Sequence, residues 1–247
     1  MKFINIISRK NKSKKINRTI LLLVVCVFSL FVGSVLAETH GQGQKITPDV
    51  ALNILLKGNQ RFVKGAVIHP HQSAKDRVNT AKNGQKPIAA ILSCSDSRVP
   101  PEIIFDTGIG DIFVVRVAGN VAAKEVIGSI EYAVDHLGVK LILVLGHTKC
   151  GAVTAAANND KVAGDLAAII DEIKPAVAKT KAGDKNLTGD KLILESTKSN
   201  VQRSIQKIMN SSSLSQSRLQ TGDITVIGAL YDIETGSVTI LKSIANL

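Results

Sequence analysis

The sequence has no tryptophan and contains only two tyrosines and six phenylalanines. Because 45% of its 247 residues are hydrophobic, the chain can still bury a sizeable core, which must be largely aliphatic. It also lacks a G-x-G-x-x-G segment after a strand and a Walker loop, so no nucleotide cofactor is indicated. The length suits one domain, or one domain behind a leader.

Acidic residues are absent from residues 1–37, which hold seven of the 31 Lys and Arg but none of the 20 Asp and Glu. The rest of the chain therefore has a net charge of only +4, against +11 for the whole sequence. Nucleic-acid binding is not indicated by so small a charge.

The basic start is followed by an apolar run and by Val35-Leu36-Ala37, with small residues where a signal peptidase cleaves. We expect residues 1–37 to be a signal peptide, residues 38–46 a linker and residues 47–247 an exported domain, periplasmic or secreted. No stable membrane association is expected after cleavage. The alternative is an uncleaved anchor, because the run approaches the roughly 18–20 apolar residues of a spanning helix.

Cysteine is scarce as well, and Cys26 would leave with the leader. The remaining pair, Cys94 and Cys150, permits one disulfide in an oxidising compartment. A disulfide would leave unexplained the ionisable side chains that stand beside both cysteines.

Apolar runs and turn signals predict strands that alternate with helices. This order predicts an α/β fold, with a mostly parallel central sheet, flanking helices and a C-terminal antiparallel hairpin. The predicted helices are 48–64, 73–83, 124–137, 152–158, 162–179 and 191–209, and the predicted strands are 88–92, 111–116, 140–145, 224–232 and 237–241.

Two of the predicted strands end in metal-binding side chains. The first leads into Cys94, Asp96 and Arg98, and the third into His147 and Cys150. Parallel strands place such ends at one edge of the sheet. Two thiolates and one imidazole leave one position of a zinc tetrahedron open, as in catalytic sites. Asp96 could fill that position, whereas a bidentate pair with Arg98 would hold it away from the metal.

Four segments resemble the β-class carbonic anhydrases, and the match extends in order from about Val50 to the final hairpin. The segments are Cys94–Pro100, Phe113–Arg116, Ser129–Val134 and Gly146–Val153. The resemblance implies that Cys94, His147 and Cys150 hold one Zn²⁺ per subunit. It also implies reversible hydration of carbon dioxide to bicarbonate and a proton by zinc-bound hydroxide, oriented by the Asp96–Arg98 pair.

The resemblance assigns the substrate pocket too. Gln85 and the backbone N–H of Gly151 would bind the substrate oxygens. Phe113 and Tyr132 would line an apolar pocket across a subunit interface, which implies a homodimer or a larger homo-oligomer. From the residues alone, Phe113 and Tyr132 would be core residues.

The sequence departs from many family members at Ala118, where a larger valine often lines the pocket, so the resemblance does not predict the volume of the pocket. Some members use the aspartate as a fourth ligand in an inactive, bicarbonate-inhibited state; Gln85 favours the open type.

Two other functions remain. One is hydrolysis of carbonyl sulfide or carbon disulfide on the same scaffold. The other is a non-catalytic exported protein that binds zinc or an anion, although such a protein has no need to orient a hydroxide.

Overall fold

A computed structural model describes residues 46–211 and 223–241. The predicted leader and, apart from Ile46, the predicted linker lie outside the described residues. In chain order the elements are α1 (Pro48–Val63), α2 (Ala74–Asn83), β1 (Ala89–Ser93), α3 (Pro101–Ile104), β2 (Ile112–Arg116), a 3₁₀ turn (Ala118–Asn120), α4 (Lys124–Asp135), β3 (Leu141–His147), α5 (Gly151–Asn158), α6 (Leu166–Gly183), α7 (Gly189–Met209), β4 (Thr225–Tyr231) and β5 (Val238–Ile240).

The five described strands form one sheet in the order β2-β1-β3-β4-β5. The first four strands are parallel, and β5 pairs antiparallel with β4. The predicted fold class, a mostly parallel sheet that ends in an antiparallel hairpin, is confirmed. Strand β2 is an edge of this sheet, whereas β1 and β3 lie side by side near its centre.

Both faces of the sheet are covered, which explains why β1 and β3 are apolar up to their last residues, Ser93 and His147. On one face the alternate side chains, such as Leu92 and Val144, pack against α4 and α7. On the other face Ile91 and Leu143 pack against α1 and the segment around Phe105.

Helix boundaries follow local signals. The Thr47 side chain accepts the N–H of Val50 at 3.3 Å, and Pro48 occupies the first position of α1. The helix predicted from residue 162 instead begins at Leu166, because Gly164 has a φ of +64°, outside the right-handed helical region. Within the described ranges, no helix is both long and apolar enough to cross a membrane.

Candidate metal centre

The carboxyl edge of the sheet, where the parallel strands end, brings the predicted zinc ligands together. Cys94 directly follows β1, His147 is the last residue of the neighbouring β3, and Cys150 lies immediately before α5. The two sulfurs and a ring nitrogen of His147 all lie within 4.8 Å of one another. All three side chains are buried, His147 completely. The structure thus brings together the three side chains that the sequence predicts as metal ligands.

His147 presents one ring nitrogen to the cluster. Its Nδ1 lies 2.9 Å from the carbonyl oxygen of Thr148, a contact in which Nδ1–H donates. The unprotonated Nε2 then faces the cysteines, where it is buried and has no hydrogen-bond partner within the described part of the chain. Leaving a polar atom buried and unpaired costs about 1–3 kcal/mol, so this nitrogen fits a metal ligand better than a packing residue.

The two cysteines are free thiols that share one buried site. A hydrogen bond from Cys150 lowers the pKa of Cys94 to about 4, and the N–H groups of Asp96 and Gly119, 3.4 and 3.2 Å from Cys94 Sγ, act in the same direction. The same contact with Cys94, together with burial, raises the pKa of Cys150. A dication held between the two sulfurs would stabilise the thiolate form of both cysteines.

These donors fit zinc by their chemistry, because two thiolates and one imidazole are a known catalytic ligand set. A disulfide between Cys94 and Cys150 is not the arrangement found here, since both are free. A metal would also account for Nε2 of His147, which is buried without a hydrogen-bond partner among the described residues.

Asp96 lies beside the cluster as part of an ion pair. The Arg98 side chain donates to both carboxylate oxygens, through Nε at 2.9 Å and Nη2 at 2.8 Å. Arg98 is the main reason that the pKa of Asp96 lies well below its ordinary value of 3.8. Oδ2 of Asp96 is also 3.9 Å from Nε2 of His147. An ionised carboxylate, which can only accept hydrogen bonds, thus borders the three metal-binding atoms.

Sequence reasoning assigned no role to Arg116, which holds the backbone of this segment. Its Nε donates to the carbonyl of Cys94 at 3.0 Å, and its Nη2 donates to that of Asp96 at 2.7 Å. Arg98 similarly donates to the carbonyl of Lys149 at 3.3 Å. The sequence did offer a signal for Arg116, because it is a charged residue at the end of a predicted strand. In the structure it ends β2 and pairs with Ser93 at the carboxyl edge of the sheet.

Of the predicted substrate-binding residues, Gly151 adjoins the cluster and Gln85 does not. Gly151 is the first residue of α5, next to Cys150. Gln85 is exposed in the loop before β1. It lies beside Gly110, since its Cβ is 4.0 Å from the position that a Cβ on Gly110 would occupy. Five-residue β1 spans about 17 Å, so Gln85 and Cys94 lie at opposite edges of their own sheet.

Phe113 and Tyr132 contact each other, with ring centroids 6.1 Å apart. Phe113 pairs with Ala90, four residues before Cys94, so it too lies at a distance from the cluster of its own chain. Tyr132 is 48% exposed, and the interpretation of Tyr132 as a core residue is therefore wrong for this chain. Both rings lie on the side of the molecule that carries edge strand β2.

Comparison with known proteins agrees with this geometry. A family model described as carbonic anhydrase matches residues 89–238. The chain is 40% identical over 204 residues to carbonic anhydrase 2 of Mycobacterium tuberculosis, an alignment that covers 81% of this chain and 96% of that protein.

Two solved structures are similar in fold. The β-carbonic anhydrase CafA of Aspergillus fumigatus has a TM-score of 0.63 and 28% identity, over 77% of this chain and 90% of that one. A β-carbonic anhydrase of Sordaria macrospora, described as tetrameric, has a TM-score of 0.60 and 27% identity, over 68% of this chain and 92% of that one.

Proposed function

This chain belongs to the β-class carbonic anhydrases and is a carbonate dehydratase. We propose that it hydrates carbon dioxide reversibly with one zinc ion held by Cys94, His147 and Cys150. The observation that carries the proposal is the buried set of three donor atoms within 4.8 Å, bordered by an ionised carboxylate. Bound zinc lowers the pKa of a coordinated water to about 7 and so supplies hydroxide at neutral pH.

Asp96 orients the nucleophile in this proposal. Because the pKa of Asp96 is lowered, its carboxylate would accept a hydrogen bond from a hydroxide supplied by zinc and could not donate one, which would fix the orientation of that hydroxide. Arg98 occupies both carboxylate oxygens and thereby keeps the carboxylate from becoming a metal ligand itself. This geometry supports the open, active form over the inhibited one.

The remaining part of the pocket is proposed to come from a second subunit. In one chain, Gln85 precedes β1 and lies at the end of the sheet opposite the metal cluster. Phe113 belongs to the edge strand β2, and the ring of Tyr132 contacts it. Tyr132 is half-exposed, and β2 has no neighbour on its outer side within the described sheet. Pairing of two copies along this side would bring an amide donor and two apolar rings to the partner's cluster.

Carbon dioxide suits such a pocket because it is small and carries no net charge. The N–H of Gly151, at the start of α5, has no intrahelical acceptor and can donate to the oxygen that becomes negative during attack. Bicarbonate, the product, is an anion that the same N–H would stabilise.

Substitution of Asp96 by asparagine tests the mechanism. The Asp96→Asn protein should still bind zinc, because Asp96 is not a proposed ligand. Its rate of carbon dioxide hydration should fall by about 100-fold or more, which corresponds to the loss of one preorganised contact worth roughly 3 kcal/mol. Zinc content and stopped-flow hydration are measured together. Asp171→Asn is the control, since Asp171 is an exposed carboxylate paired with Lys174 on α6. A zinc-loaded Asp96→Asn protein with wild-type turnover would contradict the mechanism.

The purified protein should also be assayed with carbonyl sulfide and carbon disulfide, the alternative substrates. Stoichiometric zinc without hydration activity would instead favour a binding protein.

We further propose that residues 1–37 are removed and that the domain acts in the periplasm or outside the cell. This part of the proposal is supported by the basic, acid-free leader and by Val35-Leu36-Ala37.

A further inference from the structure

The 3₁₀ turn formed by residues 118–120 touches the metal centre through its backbone. The N–H of Gly119 donates to Cys94 Sγ at 3.2 Å, inside the protein. Gly119 has a φ of +67°, and a Cβ there would lie only 2.6 Å from Ile173 Cδ1 and 3.3 Å from Ala152 Cβ. The turn is therefore packed closely against α5 and α6, and only glycine fits its centre.

Two buried side chains of α7 hold this turn from the other side. Asn200 Nδ2 donates to the carbonyl of Gly119 at 2.7 Å, and Ser204 Oγ donates to the carbonyl of Asn120 at 2.9 Å. Asn200 and Ser204 are 1% and 2% exposed and stand four residues apart, on one face of the helix. Because water cannot replace these donors easily, losing either bond leaves a buried carbonyl unsatisfied and frees the turn to shift.

We propose that Asn200 and Ser204 are positioning residues of the metal centre, which keep the Gly119 N–H directed at the Cys94 sulfur. This inference rests on the proposed zinc function. A hydrogen bond to a thiolate withdraws negative charge from the sulfur and so reduces the charge that it donates to the metal. Two thiolates neutralise a dication completely, so such an N–H helps to preserve the Lewis acidity on which hydration depends.

A purely structural role for the two residues makes a different prediction. In that case their loss would lower the stability of the domain and leave the electronic state of the thiolate unchanged. Cobalt substitution separates the two roles, because the energy of the thiolate-to-cobalt charge-transfer band reports the charge on the sulfur.

The experiment compares cobalt-loaded wild type, Asn200→Leu and Ser204→Ala. Asn200→Leu removes the donor at similar volume, and Ser204→Ala is the milder change if the first variant folds poorly. The matched control is Ser196→Ala, which lies one turn earlier on α7, is fully buried and has a hydroxyl without a hydrogen-bond partner in the structure.

We expect the charge-transfer band to move to lower energy in Asn200→Leu and, by a smaller amount, in Ser204→Ala, and to stay unchanged in Ser196→Ala. A wild-type band position in both variants, with only a lower melting temperature, would overturn the inference. Wild-type protein that takes up neither cobalt nor zinc would instead overturn the proposed function itself.

Discussion

Two inactive variants of this enzyme should restore activity to each other when they share a dimer. Cys94→Ala removes a zinc ligand, and Gln85→Leu removes the proposed donor to the substrate oxygen. If Gln85 serves the partner's cluster, a mixed dimer contains one complete site, built from the intact Cys94 of one chain and the intact Gln85 of the other. Its second site lacks both groups.

The structure predicts this arrangement because the two groups cannot meet within one chain. Gln85 precedes β1 and Cys94 follows it, so about 17 Å of extended strand separates them. A hydrogen bond to a substrate at the metal needs a donor within about 3 Å of its acceptor. Loss of a preorganised donor costs about 100-fold in turnover, so Gln85→Leu alone should be nearly inactive.

The expected yield follows from random pairing in an equal mixture. Half of the dimers are then mixed, and each has one complete site of two, so about a quarter of wild-type hydration should return. The variants are co-refolded or co-expressed with different tags, mixed dimers are purified, and hydration is measured by stopped flow. In purified mixed dimers the expected hydration activity rises to about half that of the wild type.

A second mixture serves as the control. Asp96 borders the cluster of its own chain, 3.9 Å from His147, so Cys94→Ala mixed with Asp96→Asn should give no complete site and no recovery. Absence of recovery in purified mixed dimers of Cys94→Ala and Gln85→Leu would refute the shared-site reasoning. Full activity in a monomer, established by analytical ultracentrifugation, would refute it as well.

His147→Ala and Cys150→Ala should each lose zinc and activity together, since each deletes one of three proposed ligands; metal analysis beside the hydration assay checks this. In Arg98→Ala, the freed Asp96 carboxylate should compete for the metal, so activity should fall below about pH 8 and partly return above it. The Asp96–Arg98 pair contributes its full stabilisation above pH 3.8, the pKa of an aspartate in the unfolded chain, and loses it as the pH falls through the lower pKa of Asp96 in the folded protein. The loss of unfolding free energy in Arg98→Ala, measured with denaturant, should therefore become smaller in acid. N-terminal sequencing of the exported protein should begin at Glu38, whereas a full-length chain in the membrane fraction would support an anchor.

The cluster that is proposed to hold zinc could be predicted from sequence because the chemistry and the position of its three residues coincide. Thiols and imidazoles are rare in this chain, and Cys94, His147 and Cys150 all follow or end apolar runs that read as buried parallel strands. The structure confirms that β1 and β3 are neighbours. The predicted strand over 140–145 ended two residues too early, because Gly146 and His147 also pair with β4.

The position of Gln85 relative to the cluster could be estimated only in part. Its separation from Cys94 along the sequence is short, but a strand between two residues converts nearness in sequence into distance in space. In the proposed shared site, which chain supplies Gln85 would depend on how two copies pair, and that would depend on surface shape along β2 and α4. Neither periodicity nor motif spacing contains that information.

The contacts that hold the metal-binding segment in place could not be predicted, because most of them use the backbone. Arg116 donates to carbonyl groups, and Gly119 donates an N–H to the Cys94 sulfur. Every residue carries a backbone carbonyl, and every residue except proline carries an N–H, so no residue type marks the position where these groups act. Asn200 and Ser204 illustrate the same limit, since they lie about 80 residues beyond the turn that they hold. The donor atoms of such a centre are encoded by residue type, whereas the hydrogen bonds that tune them are encoded by the fold and emerge only once the chain has packed.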